Sequence, residues 1–141
     1  MCKLKRNECL NNTGDTGSHK KILYIDDDET GRMLIQEILC DRHVELLTAR
    51  EGNEAIALFK SVANISLVIS DLKLPDITGF EVLETIRKTD PEIPVIAHSA
   101  YLHNRMKEKC MRSGFTEFIP KPVDIRQFLI LVDKYLDPCR T

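Results

Sequence analysis

Four consecutive acids, Asp26-Asp27-Asp28-Glu29, follow the apolar run Ile22-Leu23-Tyr24-Ile25. Crowding them costs like-charge repulsion. A helix N-terminus would relieve Asp28 or Glu29, but not Asp26, which still belongs to the apolar run. A hard cation such as Mg²⁺ would offset the repulsion there. Another acid, Asp71, ends the run Leu67-Val68-Ile69-Ser70. Pro75 and Gly79 delay the next helix by several residues, so Asp71 is not placed to cap it. Ser99 follows Val95-Ile96-Ala97-His98, and Lys121 lies between Pro120 and Pro122, whose rings fix the backbone around it. Each residue alone has a plain reading as a turn former, a cap or a solvated charge. Together they bring carboxylates, a hydroxyl and an ammonium group to the ends of apolar runs. That is the chemistry of a site for a divalent metal and a phosphoryl group.

The elements that must position these residues are legible in outline. The runs Ile22–Ile25, Val44–Leu47, Ile65–Ile69, Pro94–Ala97 and Phe115–Ile119 have strand lengths. At least three of them lack polar alternation, as strands buried on both faces do. Helical spacing joins Met33, Leu34, Ile38 and Leu39, then Ala55, Leu58, Phe59 and Val62. Leu83 and Ile86 precede Pro91, Leu102, Met106 and Cys110 form a fourth stripe, and Ile125, Phe128, Leu129, Val132 and Leu136 a fifth. Gly114 fits a helix end, and Asp124 with Gln127 a helix start. Five strand–helix pairs predict an α/β fold, (βα)5, with a doubly wound parallel five-stranded sheet and helices on both faces. In such sheets ligands gather at the carboxyl ends of the strands. Residues 1–19 lack apolar periodicity and are expected to be a polar, flexible tail before a single domain over 20–141.

The bulk composition narrows the function classes. Of the 141 residues 43% are hydrophobic and 30% charged, with net charge −2, a balance that favours neither disorder nor non-specific nucleic-acid binding. No apolar run approaches the length of a membrane span, and the polar opening Met1-Cys2-Lys3-Leu4-Lys5-Arg6 is not expected to act as a secretory signal. The five cysteines are scattered and never form a CxxC pair, so neither a zinc site nor a disulfide framework is expected and a reducing cytoplasm suits them. Cys40 and Cys110 fit the core.

The segments ILYIDDDE, LVISDLKLPDITGFE, PVIAHSA and GFTEFIPKP resemble, in order and spacing, the receiver (response-regulator) family of two-component systems, including its chemotaxis-regulator-like single-domain members. The resemblance covers about residues 20–137. It implies the flavodoxin-like strand order 2-1-3-4-5 and assigns Asp71 as phosphoacceptor. Asp26, Asp27, Asp71 and the backbone carbonyl of Lys73 would hold Mg²⁺, with Mn²⁺ as an alternative. Lys121 would pair with the phosphoryl group, Ser99 would follow it, and Phe118 would couple to Ser99 as the switch aromatic. The implied partners are a histidine kinase or histidine phosphotransfer protein and a downstream protein target, with no direct nucleic-acid or membrane binding. The output surface would lie around the fourth helix, fifth strand and fifth helix. Only self-directed, Mg-dependent phosphorylation and dephosphorylation is implied, not turnover of a substrate. Lys73 and Tyr101 would border the approach to phosphorus and slow hydrolysis. Phe118 lacks the hydroxyl that many relatives carry, and Thr78 stands in a loop where an acid is frequent.

Rival readings draw on the same residues. Asp26 through Thr30 also fits the DxDxT signature of haloacid-dehalogenase-type phosphatases, with Asp26 as nucleophile, but no acidic pair follows at a strand end after Lys121 and Asp71 is left without a role. A receiver-like interaction module would be expected to have lost part of the set. The receiver fragment of a hybrid sensor kinase also fits.

Overall fold

The computed structural model describes residues 20–100 and 103–136. Strands and helices alternate as β1 (Lys20–Ile25), α1 (Glu29–Leu39), β2 (Val44–Ala49), α2 (Gly52–Ser61), β3 (Ile65–Ser70), α3 (Gly79–Thr89), β4 (Val95–Ser99), α4 (Asn104–Ser113), β5 (Glu117–Pro120) and α5 (Ile125–Leu136). The sheet is parallel throughout, in the order β2-β1-β3-β4-β5. Its winding reverses beside β1, where Ile25 pairs with Ala49 on one side and Ser70 on the other. Residues 26 and 71 therefore emerge next to each other at one edge of the sheet.

Alternation along each strand divides the core in two. Leu23, Ile25, Val68, Val95 and Ala97 face Ala55 of α2, Val82, Leu83 and Ile86 of α3 and Cys110 of α4. Ile22, Tyr24, Leu67, Ile69, Ile96 and Ile119 face Ile35 and Leu39 of α1 and Phe128, Val132 and Leu136 of α5. Each fully buried Ile, Leu or Val contributes about 1.5–3 kcal/mol. That burial is what holds the charged strand ends together.

The expected caps are present. Gly114 ends α4 at φ 115°, a left-handed conformation suited to glycine, and the Gln127 N–H donates to Asp124 Oδ1 at 3.1 Å. Several details differ from expectation. β2, β3 and β4 run one or two residues past their apolar runs, because ladder pairing continues through Thr48, Ser70 and Ser99. β5 begins at Glu117, and Phe115, though buried, precedes it. On α1 the buried residues are Ile35 and Leu39, whereas Met33 and Leu34 are exposed; three adjacent apolar residues leave the facing side undetermined by spacing alone. Cys40 is buried as expected but disulfide-bonded, a correction to the expectation that the cysteines form no disulfide framework. Thr78, which stands where an acid is frequent in relatives, caps α3. Its Oγ1 accepts from the Glu81 N–H at 3.2 Å and the Glu81 side chain accepts from the Thr78 N–H at 2.9 Å, a capping box. The 1–19 segment, Tyr101 and Leu102 lie outside the described residues.

Candidate functional site

Backbone pairing carries the strand ends directly into the site. The Asp26 N–H donates to Ala49 O at 3.0 Å, the Asp71 N–H to Ile25 O at 2.9 Å and the Lys121 N–H to Ser99 O at 2.9 Å. Extending the ladders this way fixes three loops whose side chains then converge. Ligand oxygens of Asp26, Asp27 and Asp71 lie within 4.8 Å of one another. Lys121 Nζ bridges Asp26 Oδ2 and Asp71 Oδ2, each at 2.9 Å. Asp26 Oδ1 accepts from the Asp28 N–H at 3.0 Å, and Asp71 Oδ1 from the Lys73 N–H at 3.3 Å. Beside them opens a hollow of about 400 Å³ whose walls include Asp27, Asp71, Lys73, Ser99 and Lys121. Ser99 is buried, and Phe118 packs partly buried against the α2–α4 side of the core. The pairing of Ala97 with Phe118 and Ser99 with Pro120 puts Ser99 and Phe118 on the same face of the sheet.

The electrostatics follow from three acids around one cation. Burial raises the Asp71 carboxyl above its ordinary value, and Lys121 offsets this only in part, because the ammonium is shared and Asp26 adds a like charge. Burial opposes the charge on Lys121 too, but hydrogen bonds to Asp26 and Asp71 outweigh it and hold the ammonium above its ordinary value. The two directions are consistent: the cation has two anionic partners, and each anion has half a cation.

The sequence comparisons agree with this geometry. The family model for the response regulator receiver domain matches residues 22–133. The chain belongs to the response regulator receiver domain family. It is 28% identical over 117 residues to the two-component response regulator ORR5 of Oryza sativa subsp. japonica, across 82% of this chain and 87% of that protein. The sensor histidine kinase RcsC of Salmonella typhimurium matches 80% of this chain at 28% identity, over 12% of its own length. Among solved structures, a CheY-like response regulator receiver domain protein from Methanospirillum hungatei JF-1 superposes with a TM-score of 0.79 at 29% identity, covering 87% of this chain and 98% of that one. The receiver reading therefore displaces the phosphatase one, and this chain is a receiver domain of two-component signalling.

The fold brings Asp26, Asp27, Asp71, Lys73, Ser99 and Lys121 to the same strand ends, leaves Phe118 packed in the core, and adds four residues that sequence reasoning missed. Gly79 packs so closely on the Asp71–Leu72 backbone that an added Cβ would lie 2.3 Å from Asp71 O. Asp76 accepts from the N–H groups of Gly52 and Asn53 at 2.8 Å each, capping α2, whose own N-cap Glu51 makes no side-chain cap bond. Tyr24 and His98 form a buried polar pair beneath Asp26. Thr78-x-x-Glu81 was a readable capping signature, whereas Asp76 caps a helix distant in sequence and was not. Tyr24 and His98 interrupt apolar strands, which is a signal of a special role. Among the described residues, no helix is long and apolar enough to cross a membrane.

Proposed function

We propose that this receiver accepts a phosphoryl group on Asp71 from a phosphohistidine of a kinase or phosphotransfer protein. The observation that carries the assignment is the Asp71 carboxylate, 9% exposed, lying among Asp26, Asp27 and Lys121 with the hollow in front of it. An Asp71 oxygen attacks phosphorus in line, the O–P bond forms as the donor's N–P bond breaks, and the imidazole keeps the electron pair. Lys121 transfers its hydrogen bonds to phosphoryl oxygens, and the Ser99 hydroxyl follows them.

Three carboxylates around one ammonium suit a hard divalent cation. Asp26, Asp27, Asp71 and the Lys73 backbone carbonyl would hold Mg²⁺, or Mn²⁺ in its place. Bound there, the ion would neutralise carboxylate repulsion and polarise the phosphoryl oxygens. In this reading the domain catalyses only its own Mg²⁺-dependent phosphorylation and dephosphorylation rather than turning over a substrate. Movement of Ser99 would free Phe118 to change rotamer and remodel the α4–β5–α5 surface for a downstream protein. Residues 20–141 would form the receiver and 1–19 a tail, in the cytoplasm, without contacting nucleic acid or membrane. Lys73 would help shield the acyl phosphate, while Tyr101, the other expected guard, lies outside the described residues. The match to a short stretch of RcsC favours one further reading, a receiver module within a hybrid kinase.

The test is incubation with Mg²⁺ and acetyl phosphate, followed by intact mass and site mapping. A single phosphoryl adduct on Asp71 that Asp71→Asn abolishes is the expected result. Label that persists in Asp71→Asn and vanishes in Asp26→Asn would overturn the assignment. Chemical-shift changes with beryllofluoride confined to residues 22–60 would refute the α4–β5–α5 output surface.

A further inference from the structure

Asp26 is held from below as well as from the site. Tyr24, 1% exposed, places its hydroxyl 3.1 Å from Asp26 Oδ2 and 3.3 Å from Nδ1 of His98, itself 3% exposed. A phenol has one proton to give, and a carboxylate only accepts. The Tyr24 O–H must therefore be directed at Asp26, since a lone pair facing that oxygen would repel it. The second contact then has one consistent assignment: His98 carries its proton on Nδ1 and donates to the Tyr24 oxygen. The result is a directional chain, His98 Nδ1–H to Tyr24 O–H to Asp26 Oδ2. Nε2 of His98 is left as a bare acceptor, and it has no hydrogen-bond partner among the described residues. Burial, reinforced by the charge of Lys121, lowers the imidazole to about 4, so the ring is neutral and one tautomer can persist.

We propose that Tyr24 and His98 are positioning residues for the phosphorylation site, a buried two-link chain that keeps the Asp26 carboxylate from rotating when Lys121 leaves it for the phosphoryl group. The inference rests on the roles proposed above for Asp26 and Lys121. Asp26 Oδ2 has two donors in this structure, Tyr24 and Lys121. Departure of Lys121 leaves Tyr24 as the donor on that oxygen. Terminal carboxylate torsions are broad, so without the phenol the Asp26 plane would be pinned only at Oδ1 by the Asp28 N–H and would drift from its orientation toward the metal position. Outer-shell partners of this kind typically change metal affinity about 10- to 100-fold.

Three measurements test the chain. Long-range ¹H–¹⁵N NMR on the wild-type protein should show His98 protonated on Nδ1; an Nε2–H tautomer refutes the chain outright, whatever any variant does. Mg²⁺ titration with beryllofluoride present as a phosphoryl mimic, followed by backbone shifts, should show affinity reduced about 10-fold in Tyr24→Phe, which keeps the ring and removes one O–H. His98→Asn, which returns an N–H donor near the Nδ1 position, should keep more of that affinity than His98→Leu. Wild-type Mg²⁺ affinity in a folded Tyr24→Phe, or equal affinities in the two His98 variants, overturns the proposal. Label that survives Asp71→Asn would instead sink the site assignment beneath it, so the two failures are distinguishable.

Discussion

Replacing Gly79 with alanine should cripple phosphorylation while leaving every carboxylate, the lysine and the serine in place. An added Cβ would stand 2.3 Å from Asp71 O, 2.9 Å from Leu72 Cα and 3.2 Å from the Asp71 carbonyl carbon. All three are main-chain atoms, so no rotamer change relieves the contact. Ordinary carbon contacts need more than 3 Å, which asks for a separation of about 1 Å between the start of α3 and the Asp71–Leu72 backbone. The Gly79 N–H donates to Leu72 O at 2.8 Å, so the two segments cannot part without stretching that bond. Overpacking of this kind costs about 1–3 kcal/mol. A displacement of about 1 Å at a reacting group lowers rate by roughly 100-fold.

The assay pairs urea unfolding with the initial rate of Asp71 phosphorylation by acetyl phosphate at saturating Mg²⁺. Gly114→Ala is the control, because Gly114 holds φ at 115° and, beyond its own chain neighbours, no atom comes closer than 3.8 Å to an added Cβ. It should lose about 1 kcal/mol through backbone strain and keep its phosphorylation rate. Gly79→Ala should lose both. Equal rates for wild type and Gly79→Ala, or a loss no greater than that of Gly114→Ala, would refute the claim that this glycine sets the position of Asp71.

Asp71→Asn should raise the thermal midpoint of the metal-free protein at pH 7. The folded carboxyl is raised by burial, so ionising it opposes folding, and the gain should shrink as pH falls through the raised value and vanish once pH is below the ordinary carboxylate value; a midpoint difference independent of pH would contradict this. His98 has the opposite sign: its folded value of about 4 lies below the ordinary 6.5, so stability present at neutral pH is lost as pH falls from 6.5 through 4, by up to about 3 kcal/mol. His98→Leu should flatten that limb in urea titrations between pH 7 and 4, and an unchanged slope would count against a buried neutral ring. Thr78→Ala removes the hydroxyl cap of α3 and should lower stability by about 1 kcal/mol with early amide exchange in the first turn of α3, while Thr78→Ser should restore both.

The sheet was readable because burial on both faces writes near-continuous apolar runs, and the five helices because their stripes recur at 3 and 4 residues. The site was readable for a related reason: acids, a serine and a lysine stand where those runs stop. Less was legible where the deciding factor is distance between segments. The closeness of Gly79 to Asp71 exists only after α3 folds back on β3. The role of Asp76 depends on α2 arriving 23 and 24 residues away in sequence. On α1 the chain offered Met33, Leu34 and Ile35 side by side, and only docking against α5 and the sheet selects Ile35. Thr78 is a different case, since its partner Glu81 lay three residues on, in plain view of the capping rule.

The charge inventory explains why this arrangement can act as a switch and not merely as a binding site. Asp26, Asp27 and Asp71 contribute −3 and Lys121 +1, leaving −2 concentrated within a few ångströms. Burial already opposes the ionisation of Asp71, so the apolar packing of the two core layers holds together groups that would otherwise separate. A site kept under such opposition responds strongly to added charge. Phosphorylation of Asp71 would bring further negative oxygens to the same place and draw Lys121 from its shared position. The next group to move would be Ser99, whose strand pairs with β5 and whose face of the sheet it shares with Phe118. Because both faces of the sheet are covered by packed core, the proposed displacement would pass to the helix and strand surface beyond.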